Sequence, residues 1–184
     1  LKGEPEVAES HWQKAIEENP KNLSAIGALA TALLKQGKST RADELLVKSI
    51  KASPGNPMLV ELLVKLRVSK KDWVGAEAAV DDLKALPEGV VAGNLLSGLL
   101  SQQQGSHEVA IQAFKNVLSI KPDTVEAFVG LARSYWGLGQ REVFFTFMRD
   151  FIHENPENLV ALNAVGNLNG LEIILLISIL ESPT

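Results

Sequence analysis

Residues 23–56 read LSAIGALATALLKQGKSTRADELLVKSIKASPGN, and this 34-residue stretch decides the fold. In its first half Ile26, Leu29, Ala30 and Leu33 recur at i, i+3, i+4 and i+7, one face of a helix. Gly37 then stops that helix, because glycine tolerates the left-handed backbone that closes a helix C-terminus. Ala42, Leu45, Leu46, Ser49 and Ile50 form the inner face of a second helix. Pro54 ends it, because proline lacks the N–H that a helix interior needs. The stretch is a helix hairpin, with helices A and B joined by a turn.

The hairpin recurs. In steps of 34 residues Ala42 becomes Ala8 on one side and Ala76, Ala110 and Phe144 on the other. Gly3, Gly37, Gly105 and Gly139 keep the same beat five positions earlier, with Lys71 in the one gap. Pro20, Pro54, Pro122 and Pro156 lie twelve positions after the markers, and Pro87 falls one residue early. A fixed period with constant internal order is the signature of stacked helical hairpins. The chain divides into a half repeat at 1–22 (helix B only), full repeats at 23–56, 57–90, 91–124 and 125–158, and a partial repeat at 159–184. All are expected to form one array, in which each repeat packs on its neighbours.

The pattern resembles the tetratricopeptide repeat (TPR), a 34-residue helix–turn–helix with small residues at positions 8 and 20, Gly near 15 and Pro at 32. Position 8 holds Ala30, Val64, Gly98, Ala132 and Gly166, and position 20 holds the marker alanines. Position 24, large and apolar in the family, holds Trp12, Leu46, Val80, Phe114 and Met148. The likeness covers residues 1 to about 169 and implies an all-α, right-handed superhelical solenoid of antiparallel hairpins, with about five repeats. There are departures. The family's aromatic at position 4 becomes Ile26, Val60, Asn94, Phe128 and Leu162, and its position-11 tyrosine survives only as Tyr135, with Arg67 among the replacements. Asn94, Ser97 and Ser101 weaken helix A of 91–124. Phe144 puts a ring where a methyl is usual, which predicts either splayed helices or room made by Gly137 and Ala132.

Composition bounds the chemistry. Of 184 residues, 46% are hydrophobic, enough for a continuous core. The formal net charge is −4, so no clustered basic surface invites nucleic acid. There is no cysteine, which removes disulfides, thiolate metal sites and cysteine nucleophiles. His11, His107 and His153 lie in different repeats without i, i+4 pairing, so they read as surface histidines and not metal ligands. Paired acids such as Glu17–Glu18 and Asp81–Asp82 lie on helix B and read as solvated faces. No phosphate-binding loop and no GxSxG elbow is present. The expectation is a non-enzyme with no cofactor and no metal.

The resemblance implies that helix A lines the inside of a groove. By register the groove takes Lys35 with Thr31 and Leu34, then Glu61 and Lys65 with Ser69. Leu95, Leu99, Gln102 and Gln103 follow, then Glu126, Val129, Arg133 and Trp136, and last Asn163 and Asn167. Apolar anchors flanked by hydrogen-bonding groups suit an extended peptide or amphipathic helix. The expected function is a scaffold holding a protein or peptide partner. The alternative is the substrate-docking region of a larger enzyme, as in TPR-bearing glycosyltransferases. The family's clamp for acidic chaperone tails is not matched, since its positions hold Gly27, Thr31, Glu61 and Lys65. The repeat style is similar to long TPR arrays of bacterial assembly proteins, including those of exopolysaccharide export and protein sorting.

The chain opens at Leu1 in mid-repeat, shows no signal peptide and has no apolar run of about 18 residues. It reads as a soluble piece of a longer protein, with cytoplasm and periplasm both open. Its last stretch, Leu171–Leu180, reads LEIILLISIL and is apolar on every side. That tail reads either as a scar of truncation or as a plug that packs on the array or joins two copies as a homodimer.

Overall fold

The structure, a computed structural model, describes residues 5–166. Among them the chain is all-α: α1 (Pro5–Glu18), α2 (Leu23–Lys35), α3 (Ser39–Ala52), α4 (Pro57–Ser69), α5 (Trp73–Lys84), α6 (Val90–Gln103), α7 (His107–Ile120), α8 (Val125–Gly137), α9 (Arg141–Glu154) and α10 (Leu159–Gly166), with a 3-10 turn at Pro87–Gly89 before α6. The fold belongs to the class of helix-hairpin solenoids expected from the repeat. Asn167 and the apolar tail at 171–180, with the homodimer expected of it, lie outside the described residues. Two compact units meet at Gly93 and Asn94.

The turns show why the period is 34. Gly37, Gly105 and Gly139 take φ of 73, 76 and 69°, and Lys71, in the gap of the glycine series, takes 59°. Each left-handed residue lets the next N–H reach back five residues. Lys38 donates to the Leu33 carbonyl at 2.8 Å, Asp72 to Arg67 at 2.8 Å, Ser106 to Ser101 at 2.8 Å and Gln140 to Tyr135 at 2.9 Å. This is the Schellman closure, which pairs carbonyls that the helix end leaves open. Lys71 bears a side chain where the left-handed backbone disfavours one. Lys71→Gly is therefore expected to raise stability by about 0.5–1 kcal/mol, net of the extra freedom of glycine in the unfolded chain. Urea denaturation checks this, and an unchanged or lower midpoint would contradict it. The helix starts keep the same beat: Asn22, Asn56 and Asn158 each accept from the third backbone N–H onward, at 3.1, 3.2 and 2.9 Å.

In the first unit the core runs through Ile26, Leu29, Leu33, Leu46, Leu59, Leu66 and Leu83, all nearly inaccessible. Ala42 and Ala76 are fully buried. Ala8, one step earlier, is only half-buried, since no helix precedes α1 among the described residues. Glu9 pins α1 to the next hairpin. It accepts from Lys38 Nζ at 3.3 Å and pairs with Arg41 Nη2 at 2.7 Å. The Lys38 hydrogen bond is the largest influence on this carboxyl; burial opposes it, and the Arg41 hydrogen bond and charge join Lys38 in holding it below its ordinary range. A depressed carboxylate stabilises above its unfolded pKa, and that contribution is lost as pH falls through the folded value. Acidification below about pH 4.3 is thus expected to loosen α1. Trp12, half-buried on α1, should report this by its fluorescence. The same change in a Glu9→Gln variant would contradict the assignment.

The second unit is built around a ring. Phe114 on α7 is fully buried. A Cβ placed on Gly98 of α6 would come within 2.6 Å of its Cε1, and one placed on Gly130 of α8 would meet its Cζ still more closely. Two glycines on two helices thus form the slot for one phenyl ring. Phe144 is also buried and sits in an aromatic cluster, with Trp136 at 5.3 Å, Phe145 at 5.7 Å and Tyr135 at 5.9 Å between ring centroids. Of the two residues expected to make room for it, Ala132 shares a cavity wall with Phe144, but Gly137 faces His107 instead. A Cβ on Gly137 would lie 2.5 Å from His107 Nε2. His107 is therefore packed and half-buried, not a surface histidine, whereas His11 and His153 are exposed.

Candidate functional site

In the first unit the residues expected in the groove bond within their own helices or lie in solvent. Thr31 donates its hydroxyl to the Gly27 carbonyl at 2.8 Å, one turn back on α2. Glu61 and Lys65, an i, i+4 pair on α4, bond to each other. Both are largely solvated, so the pair contributes little stability. Lys35 is exposed at the end of α2.

The second unit holds the more developed surface. Glu126, Val129 and Arg133 stand at i, i+3 and i+7 on α8, a single stripe, and all three are exposed. Val125 and Val129 leave 55% and 52% of their surface open to water. Such valines, one turn apart on an otherwise well-packed helix, lack a cover within the described residues. Beneath them lies a cavity of about 270 Å³ between α8 and α10. Its walls are Val125, Phe128, Val129 and Ala132 of α8, Phe144 of α9, and Val160, Asn163 and Ala164 of α10. Asn163 is exposed at its edge and is its one polar side chain. Neither Glu126 nor Arg133 forms an ion pair among the described residues. The stripe therefore offers an anion, an apolar patch and a cation in order.

The remaining groove positions divide. Leu99 is exposed at 39% and Leu95 is half-buried. Gln103 is exposed, but Gln102 is turned inward. Its Nε2 donates to the Gly130 carbonyl at 2.8 Å and to Ser134 Oγ at 2.7 Å, tying α6 to α8 beside the Phe114 slot. Trp136 is half-buried on Phe144 and Phe145, and its cationic neighbour is Arg141 at 5.4 Å, a residue of its own hairpin. The register already places Val129 and Asn163 of the α8–α10 cavity in the groove, but not Val125 and Val160, which complete its wall. Among the described residues no three His, Asp or Glu side chains gather as a metal site, and no helix is long and apolar enough to cross a membrane.

Two stretches of the chain, residues 11–44 and 93–124, match family models of the tetratricopeptide repeat. With the hairpin geometry above, the chain belongs to the tetratricopeptide-repeat superfamily, a class of protein-interaction scaffolds. Several solved structures share the fold. That of MamA is 21% identical with a TM-score of 0.59, and the match covers 85% of each chain. TTC0263, a thermophilic TPR protein of Thermus thermophilus, is 20% identical with a TM-score of 0.59 over 89% of this chain and 90% of that one. YrrB, described as a TPR protein with an unusual peptide-binding site, is 20% identical with a TM-score of 0.53 over 87% and 82%. No curated protein sequence matches the chain.

Proposed function

We propose that the chain is a non-catalytic scaffold that holds a peptide segment on the helix-A faces, with its anchor site on α8 and α10 of the second unit. The observation that carries this reading is the apolar cavity beneath Val125 and Val129. At about 270 Å³ it falls below the roughly 300–1,000 Å³ of small-molecule clefts, and suits one apolar side chain of a partner. Glu126 and Arg133 flank it and would pair charged groups on either side of that anchor. The peptide-binding site of YrrB, on the same fold, supports the class of ligand.

Selection of peptides from a displayed library on the full chain tests the reading. Selected peptides are expected to share one large apolar residue, and to lose at least about tenfold in affinity on a Val129→Asp variant. Peptides that bind Val129→Asp as tightly as the parent would overturn the assignment.

A further inference from the structure

The first unit builds one cavity twice. The earlier, of about 440 Å³, lies between α1 and α3 over α2. The later, of about 340 Å³, lies between α3 and α5 over α4. Eleven lining positions correspond at the 34-residue step, among them Ile16 and Ile50, Pro20 and Pro54, and Leu29 and Leu63. Several steps change the chemistry: Glu17 becomes Lys51 and Lys48 becomes Asp82 on the outer helices, and one falls on the inner helix. Leu33 on α2 becomes Arg67 on α4.

Arg67 is largely buried, with 19% of its side chain exposed. Two of its three nitrogens are engaged. Nε donates to Asp43 Oδ1 at 3.3 Å, and Nη1 donates to the Gly75 carbonyl at 2.8 Å. Nη2 bonds to no group among the described residues. Asp43 is the ion-pair partner of Arg67, and the remaining nitrogen is a donor in a fixed orientation that a second carboxylate could accept from. Val60, Leu63 and Arg67 line the cavity from one face of α4, at i, i+3 and i+7. The cavity therefore runs along α4 for about 10 Å, with the cation at one end. Lys51 and Asp82, of opposite sign, are its other charged lining residues, and the rest of the lining is aliphatic.

We propose that this cavity binds an apolar carboxylate, the chemistry of a fatty acid, with its head on Arg67 and its chain along Leu63 and Val60. A peptide end is the poorer fit, because the aliphatic walls leave its own N–H and C=O groups unpaired. The site uses neither α8 nor α10, so its fate is independent of the peptide-binding reading.

Calorimetric titration of the full chain tests it. The probes are decanoate below its micellar concentration, decanol, and a short peptide ending in leucine with a free carboxylate. Saturable 1:1 binding of decanoate is expected, with decanol at least about tenfold weaker because it cannot form the charge-assisted bond. Arg67→Leu, which copies Leu33, and Ala79→Phe, which fills the wall and leaves Arg67 in place, should each weaken decanoate at least about tenfold. Circular dichroism establishes that each variant is folded. Should Arg67→Leu fail to fold, Ala79→Phe decides, and the decanoate–decanol contrast needs no variant. No saturable decanoate binding, equal binding of decanol, undiminished binding by a folded variant, or displacement of decanoate by the peptide would each overturn the proposal.

Discussion

Phe114→Ala is expected to destabilise the second unit by about 3–5 kcal/mol, the largest effect of any single substitution considered for this protein. The ring is fully buried, and the groups facing it are Gly98 and Gly130. Glycines have no side chains that could relax into the void. The cost should therefore sit near the upper end for a lost phenyl group, because it rises with residual cavity volume. The converse change is informative as well. Gly130→Ala would drive a methyl into the ring, and overpacking of this kind costs about 1–3 kcal/mol. Trp136 is the one tryptophan beyond residue 93, so its fluorescence in urea reports on this unit. A Phe114→Ala loss below about 1 kcal/mol would show that the slot can close, against the geometry described.

Ala76→Leu should cost about 1–3 kcal/mol in the first unit. Ala76 is fully buried on α5, as are Val80 and Leu83 on the same helix, and α5 packs on α4. Three added carbons have nowhere to go without moving one helix off the other. The change is expected to appear in the Trp73 signal, since Trp73 opens the same helix. Val74→Leu, on the same helix but 79% exposed, serves as the control and should leave stability within about 0.5 kcal/mol. Equal melting of both variants with the parent would remove the register that puts the marker alanines at the crossings.

Much of the fold was legible because period and burial arise from the same residues. The marker positions are small where helices cross, and Ala42, Ala76 and Ala110 are all fully buried. The missing glycine at 71 was visible as a gap, but the sequence could not say that lysine would adopt the left-handed turn. It does so because the Asp72–Arg67 closure and the following helix hold it there. Helix A of 91–124 looked weakest, yet α6 forms over Val90–Gln103 with Asn94 and Ser101 buried. Tertiary packing outweighs propensity at these positions. The site was less legible. Register alone puts Trp136 and Gln102 in the groove, but rotamer choice is a packing matter. Phe144 and Phe145 draw the indole down, and Ser134 and the Gly130 carbonyl draw the amide in. The cavities between neighbouring hairpins depend on side chains some thirty residues apart in sequence, so no local pattern announces them.

The most direct test of the peptide-binding account is NMR mapping of backbone amides on the full chain, titrated with a selected peptide carrying one large apolar residue. The account predicts that the largest shifts fall on Val125, Val129, Ala132 and Val160, around the α8–α10 cavity, and that they vanish with Val129→Asp. Shifts confined to the exposed starts of α7 and α9, near Val109 and Val143, or shifts undiminished by Val129→Asp, would contradict it.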